Sequence, residues 1–234
     1  AIPPLCLARA LRSAPPFIEI IVTALLLKPL FTLSGLIRAG REIQSALAAG
    51  DLSEARRLTG YHLVSRDTSE LSPDEVAGAV IESLSENLTD SFFSPLFYFC
   101  LGGLPAAAAY RLVNTADAMI GYRDEKWEWI GKFAARLDDV LNFIPARICA
   151  LAIGLAAPMS GADGRGSFAA LRHDRKRTAS PNAGWTMSVT AGALGVVLRK
   201  DGCYVLNEGG GEADADDISR AIRLIESGAW ILSA

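Results

Sequence analysis

Carboxylates spaced one helical turn apart are the first chemistry this sequence offers. Glu82, Glu86 and Asp90 lie in the string Glu82-Ser83-x-x-Glu86-Asn87-x-x-Asp90. On an α-helix of about 3.6 residues per turn they share one narrow face. Like charges at this spacing repel, so arginines or a divalent metal should offset them. Ligands that are all oxygen suit Mg²⁺ shared with nucleotide phosphates. The plain alternative is a solvated helix face. Against it stands the apolar segment that begins directly after Asp90, because acids entering a membrane or a core are costly unless they have a function.

A second constellation is Arg111-x-x-Asn114-Thr115-x-Asp117, ending at Gly121-Tyr122-Arg123-Asp124-Glu125. Asn114 and Asp117 lie about one turn apart and can add ligands or orient a substrate amide. Arg111 and Arg123 suit a phosphate or carboxylate, which a guanidinium grips with two parallel bonds. Asp124 and Glu125 read better as helix-end charges. A third string, Arg136-x-Asp138-Asp139-x-x-Asn142-x-x-Pro145-x-Arg147, sets Arg136, Asp139 and Asn142 along one side of a helix. An intrahelical Arg136–Asp139 pair is its modest structural explanation. Each string abuts an apolar segment, which suggests one shared site at one membrane face.

The elements that must position these groups are read from hydropathy. Four apolar stretches stand out: Phe17–Ile37, Ser91–Ala109, Phe143–Met159 and the shorter Trp185–Leu198. A membrane-spanning helix needs about 20 apolar residues, and only the second approaches that without a charge. It contains Pro95, Gly102, Gly103 and Pro105, which membrane helices tolerate where neighbours satisfy the freed backbone groups. Periodicity therefore admits a soluble all-α protein with buried helices as well as a membrane bundle. Between these stretches, Gly40–Leu58 reads as one amphipathic helix with Ile43, Leu47, Leu52 and Ala55 on one side. Ser72-Pro73-Asp74-Glu75 reads as a helix start, with Ser72 as N-cap and Glu75 closing the capping box; that helix should run through Glu82 and Glu86 toward Asp90. After Lys200 the chain reads as an acidic tail, with Gly209-Gly210-Gly211 as a flexible joint and a short helix from Asp216 to Glu226.

Composition excludes several classes. The chain has 234 residues, 50% of them hydrophobic and 21% charged, with a net charge of -3. No global basic field argues for nucleic acid. The run Arg172-His173-Asp174-Arg175-Lys176-Arg177 reads first as a cytoplasmic loop under the positive-inside bias. Four separated cysteines, Cys6, Cys100, Cys149 and Cys203, and only two histidines, His62 and His173, disfavour a disulfide framework or a zinc site. The glycine triplet lacks a following Lys-Ser/Thr and is not a P-loop. No signal pattern opens the chain, which begins at Ala1 without Met, and a natural N-terminus further upstream is expected.

Four strings together resemble the CbiB-type cobalamin biosynthesis family, the adenosylcobinamide-phosphate synthases. They are Ser65-Arg66-Asp67-Thr68, the Glu82–Asp90 string, Val113-Asn114-Thr115-x-Asp117-x-Met119-x-Gly121-Tyr122-Arg123, and Ala135-Arg136-x-Asp138-Asp139-x-x-Asn142-x-x-Pro145-x-Arg147. Ser180-Pro181-Asn182-Ala183-Gly184-Trp185, followed by Ala191-Gly192-Ala193-Leu194-Gly195-Val196, completes the order. The resemblance covers most of residues 20 to 205. Two departures stand out: a His-Pro-containing first segment is missing, and Thr178-Ala179 stand where the resemblance leads one to expect His-Pro.

The resemblance implies an all-α, multi-pass integral membrane helical bundle with amphipathic connector helices and a short polar C-terminal tail. Residues 1–205 would form the membrane-embedded catalytic domain and 206–234 the tail, in the cytoplasmic membrane with the site on the cytoplasmic side. The implied reaction joins adenosylcobyric acid to aminopropanol phosphate at the expense of ATP, with Mg²⁺. Glu82, Glu86 and Asp90 would hold the metal. Glu82, Glu86, Asp117, Arg136 and Asp139 would be catalytic. Arg66, Asp67, Thr68, Asn87, Asn114, Arg123, Asn142, Arg147, Ser180 and Asn182 would bind substrate and phosphate. Membrane lipid, other corrinoid-assembly enzymes and a second copy of the chain are the further expected partners, and nucleic acid is not among them. The rival reading is a membrane protein that transports or binds a corrinoid or another anion without chemistry.

Overall fold

A computed structural model describes residues 15–64, 66–120 and 128–234. These are mostly helical: α1 (Pro16–Leu27), α2 (Ser34–Ala48), α3 (Leu52–His62), α4 (Pro73–Asn87), α5 (Ser94–Ile120), α6 (Glu128–Leu141), α7 (Phe143–Ala156), α8 (Gly164–Asp174), α9 (Ala183–Leu194) and α10 (Ala215–Ser233). The expectation of an all-α chain needs one correction. β1 (Leu198–Lys200) and β2 (Tyr204–Leu206) form an antiparallel hairpin with Lys200 opposite Tyr204. Gly195, at φ 74°, ends α9 in the left-handed conformation that glycine adopts without a Cβ clash. The apolar run Trp185–Leu198 is therefore a helix followed by a strand.

The chain divides into two compact units. The first comprises the described residues up to Thr32 together with Asp90–Pro145; the second comprises Leu33–Thr89 and Ala146–Ala234. In the first unit α5 packs on α6, and the backbone of α5 departs from helical geometry at Gly102 and Gly103, where Gly103 takes φ 66°. Tyr98 and Tyr110 stack at 5.2 Å between ring centroids. This unit leaves Phe17, Ile20, Leu25, Leu101, Leu112, Met119, Trp129 and Phe133 exposed, far more large apolar surface than water-facing helices usually carry.

The second unit has a conventional core. Ile43 of α2, Val80, Ile81 and Leu84 of α4, Ile153 of α7, Leu198 and Leu206 of the hairpin, and Ile218, Leu224 and Ile225 of α10 are all fully buried. From Thr186 to Leu194 every residue of α9 is buried, which makes the fourth apolar stretch the central core helix. Two further expectations change here. The amphipathic helix Gly40–Leu58 is two helices, parted at Gly50 (φ 76°) and restarted by Asp51, whose side chain accepts the Glu54 N–H. The glycine triplet is pinned by backbone bonds, Gly211 N–H to Gly195 O at 2.9 Å and Val197 N–H to Gly211 O at 2.8 Å. The last helix, expected over Asp216–Glu226, runs to Ser233 and packs against α2 and α4.

Helices α8 and α9 approach so closely that a Cβ on Gly192 would lie 2.3 Å from Gly166 O and 2.6 Å from Ala170 Cβ. Backbone on one side and a buried methyl on the other cannot give way cheaply. Gly192→Ala is expected to destabilise the second unit by about 3 kcal/mol, read as a fall in the unfolding midpoint.

By length and composition, the helical runs Phe17–Ala48 and Pro73–Ile120 are each able to cross a membrane. Gly131–Leu141 and Phe143–Ala156, bent by 50°, make a third such segment if they are one broken span.

Candidate active site

The capping box expected at Ser72 is present. Ser72 N–H donates to Glu75 Oε2 at 2.7 Å, and α4 starts where the sequence indicates. One face of α4 then carries Glu82 and Glu86. Glu82 is only 8% exposed, and its Oε1 has no hydrogen-bond partner among the described residues. The Tyr204 hydroxyl of β2, Arg66, Lys200 and Glu86 all lie within electrostatic reach of its carboxylate. Burial, then the neighbouring Glu82 carboxylate, pushes the Tyr204 phenol well above its ordinary range. Tyr204 therefore keeps its proton beside that carboxylate.

The loop before α4, which carries Arg66, is ordered by its own hydrogen bonds. Asp67 Oδ1 accepts the Ser69 N–H at 2.9 Å, and this bond holds the Asp67 carboxyl below the usual range. Thr68, buried, donates to Arg56 O at 2.9 Å, while Arg56 donates to Leu71 O at 2.7 Å. Asp67 and Thr68, expected to bind substrate, are thus engaged in shaping the loop. Asn87 Nδ2 donates to Ser83 O at 3.0 Å, back along its own helix.

After Asn87 the helix widens into a π turn, Leu88–Phe93. Asp90 falls within this π turn and belongs to the first unit, whereas Glu82 and Glu86 stand on α4 in the second. Among the described residues no three His, Cys, Asp or Glu side chains gather as ligands for a metal ion. One or two carboxylates completed by phosphate oxygens is the usual Mg²⁺ arrangement at nucleotides, and Glu82 with Glu86 fits that smaller set.

A second polar group in the second unit lies around Trp185. The Arg147 guanidinium sits 4.6 Å from the centre of its ring and Arg175 sits 5.4 Å away. Arg147 also donates to Asn182 Oδ1 at 3.0 Å. Ser180 Oγ accepts the Asn182 N–H at 3.2 Å, ordering the entry to α9. Thr178, where the resemblance led to an expected histidine, donates to Ser180 O at 2.7 Å. Trp185→Ala should remove the platform shared by both arginines. We expect about a tenfold loss of affinity for an anionic ligand, from two cation–π contacts of about 0.5–1 kcal/mol each, checked by equilibrium binding.

The first unit holds its own buried network. Asn142, 1% exposed, accepts from Ser94 Oγ at 2.6 Å and Tyr110 Oη at 2.9 Å, and donates to Asp138 Oδ2 at 2.9 Å. Asn114 donates to Asp138 Oδ1 at 3.2 Å and accepts from Arg111 at 2.9 Å. Asp138, not Asp139, is therefore the buried acid of this string; Asp139 is half-buried and Arg136 exposed. Asp117 is half-buried, within electrostatic reach of Asp138 and Asp139. Arg123 lies outside the described residues.

Sequence reasoning missed Tyr204, Lys200 and Trp185 as site residues, and also Tyr110. The tryptophan could have been found, since it ends a quoted motif; nothing local marks Tyr204.

The fold and these groups define a helical protein with membrane-length apolar segments and paired carboxylates flanked by basic side chains. The chain belongs to the CobD/CbiB family, whose model, described as CobD/Cbib protein, matches residues 2–225. It is 44% identical over 207 residues to the probable cobalamin biosynthesis protein CobD of Methanothermobacter thermautotrophicus, covering 88% of this chain and 69% of that protein. The cobalamin biosynthesis protein CobD of Dehalococcoides mccartyi is 45% identical over 198 residues, 85% of this chain and 64% of that one. The cobalamin biosynthesis protein CbiB of Salmonella choleraesuis is 39% identical over 212 residues, 86% of this chain and 65% of that one. The chain thus spans about two thirds of the length of these relatives. No solved structure matches it.

Proposed function

We propose that this chain catalyses the amide-forming step of cobalamin biosynthesis as part of a multi-pass protein of the cytoplasmic membrane. It joins a carboxylate of adenosylcobyric acid to the amine of aminopropanol phosphate, at the expense of ATP, to give adenosylcobinamide phosphate. The relatives' names support the pathway. The observation that carries the chemistry is Glu82: a buried carboxylate with one oxygen unpartnered among the described residues and basic side chains around it.

A carboxylate does not acylate an amine unaided, because its hydroxide-equivalent leaving group is too poor. In the proposed course a carboxylate oxygen attacks the γ-phosphorus of ATP, ADP leaves, and an acyl phosphate forms. The amine then attacks the carbonyl carbon and loses a proton, and inorganic phosphate departs. Positioning and charge neutralisation supply most of the acceleration. Bound Mg²⁺ would neutralise phosphate charge, with Glu82 and Glu86 holding it together with the phosphates. Arg66 and Arg147 would bind phosphate or the corrinoid carboxylate. The family resemblance extends the proposal to Asp117, Arg136 and Asp139 in the first unit, and to Arg123. The exposed apolar helices of that unit support lipid as its surroundings, and the basic Arg172–Arg177 run supports a cytoplasmic side for the site.

The test is a mass-spectrometric ligation assay on detergent-purified protein with both substrates, ATP and Mg²⁺. An ATP-dependent condensation product is expected. A folded protein that binds the corrinoid but forms no product would point instead to transport or binding without catalysis.

A further inference from the structure

We propose that the β1–β2 hairpin completes the nucleotide subsite, with Tyr204 as a positioning residue for Glu82 and Lys200 as a cation for the triphosphate of Mg·ATP. This rests on the reading above and goes beyond it, because no motif of the chain separates the nucleotide from the amine phosphate.

Three elements of the second unit converge on Glu82: α4 itself, the loop that presents Arg66, and the hairpin that presents Lys200 and Tyr204 on directly paired positions. Tyr204 is half-buried, and its hydroxyl lies within electrostatic reach of the Glu82 carboxylate. The buried Oε1 of Glu82 has no hydrogen-bond partner among the described residues. A buried polar atom without a partner costs free energy unless a ligand satisfies it.

The charge pattern selects the ligand. Two carboxylates one turn apart would repel the corrinoid carboxylate. A magnesium triphosphate carries both signs: the metal suits the carboxylates, and the phosphate oxygens suit Arg66 and Lys200. Cations from two separate elements also match a chain of three phosphates better than a single phosphate ester. The hairpin is itself anchored. Leu198 and Leu206 are fully buried, and the Asn207 N–H donates to the buried Asp174 at 2.7 Å. Arg199, on the opposite face of its strand from Lys200, is paired with Glu212.

Equilibrium binding of a non-hydrolysable ATP analogue with Mg²⁺, and separately of aminopropanol phosphate, to the full chain in detergent tests the assignment. Lys200→Gln and Tyr204→Phe should each weaken the analogue about tenfold, the scale of one charge-assisted hydrogen bond, with affinity for aminopropanol phosphate unchanged. Lys200→Arg, which keeps the charge, should restore most of the analogue binding. Unchanged analogue affinity in both variants, or a loss that falls on aminopropanol phosphate instead, would overturn the hairpin's role while leaving the ligase reading intact. Wild-type protein that binds no nucleotide would sink the ligase reading and this assignment together.

Discussion

Glu82→Gln should lower the ligation rate about 10²- to 10³-fold, the scale seen when one preorganised electrostatic contact is removed from an active site. The exchange keeps the size of the side chain and replaces one carboxylate oxygen with an amide nitrogen. Glu82 is buried and has Tyr204, Arg66 and Lys200 in electrostatic reach. A neutral amide there would leave those basic groups without their counter-charge and would remove an oxygen able to meet a bound metal. Glutamine fills the same space, so α4 and its core partners Ile81 and Leu84 should remain packed. The expected signature is therefore lost turnover with an unchanged unfolding midpoint. An active Glu82→Gln enzyme would remove the carboxylate face from the mechanism. Glu86→Gln, one turn further along, should act in the same direction.

The second large effect is on stability. Asn142→Ala removes the acceptor shared by Ser94 and Tyr110 and the donor to Asp138. Tyr110 is 1% exposed and Ser94 fully buried, so water cannot replace the lost partner. Stranding buried polar groups costs about 1–3 kcal/mol each; a total loss of about 3 kcal/mol is expected because Tyr110 retains its second contact, to Asp90 O at 3.3 Å. Denaturant unfolding in detergent measures it directly. Asn142→Asp, which keeps one acceptor but sets a second acid against Asp138, should be no better tolerated.

The features legible in the sequence are those written locally. Ser72 and Glu75 lie three residues apart and form the capping box by themselves. The break at Gly50-Asp51 was equally local, a helix-ending glycine followed by an N-cap, but the apolar stripe across it reads as continuous. The hairpin was not legible. Val196 to Leu198 has the composition of the helix before it, and only the left-handed Gly195 marks the change.

The site divides the same way. Glu82 and Glu86 share a face because four residues make about one turn. The π turn Leu88–Phe93 that follows them, with Asp90 inside it, is something no spacing rule foresees. In the Arg136–Arg147 string the three-residue spacing picks out Arg136, Asp139 and Asn142, whereas Asp138 and Asn142 are the buried pair. Which of them is buried depends on how α6 meets α5, a tertiary fact. Tyr204 reaches Glu82 only through the packing of the hairpin on α4, so no local pattern connects the two.

Carboxylate activation by ATP is the central claim, and oxygen tracing tests it most directly. Adenosylcobyric acid labelled with ¹⁸O in the reacting carboxylate would be supplied with aminopropanol phosphate, unlabelled ATP and Mg²⁺, and the released phosphate analysed by mass spectrometry. If an acyl phosphate forms, one labelled oxygen passes to inorganic phosphate for each amide made. Amide formation with no label in any phosphate product would contradict the account.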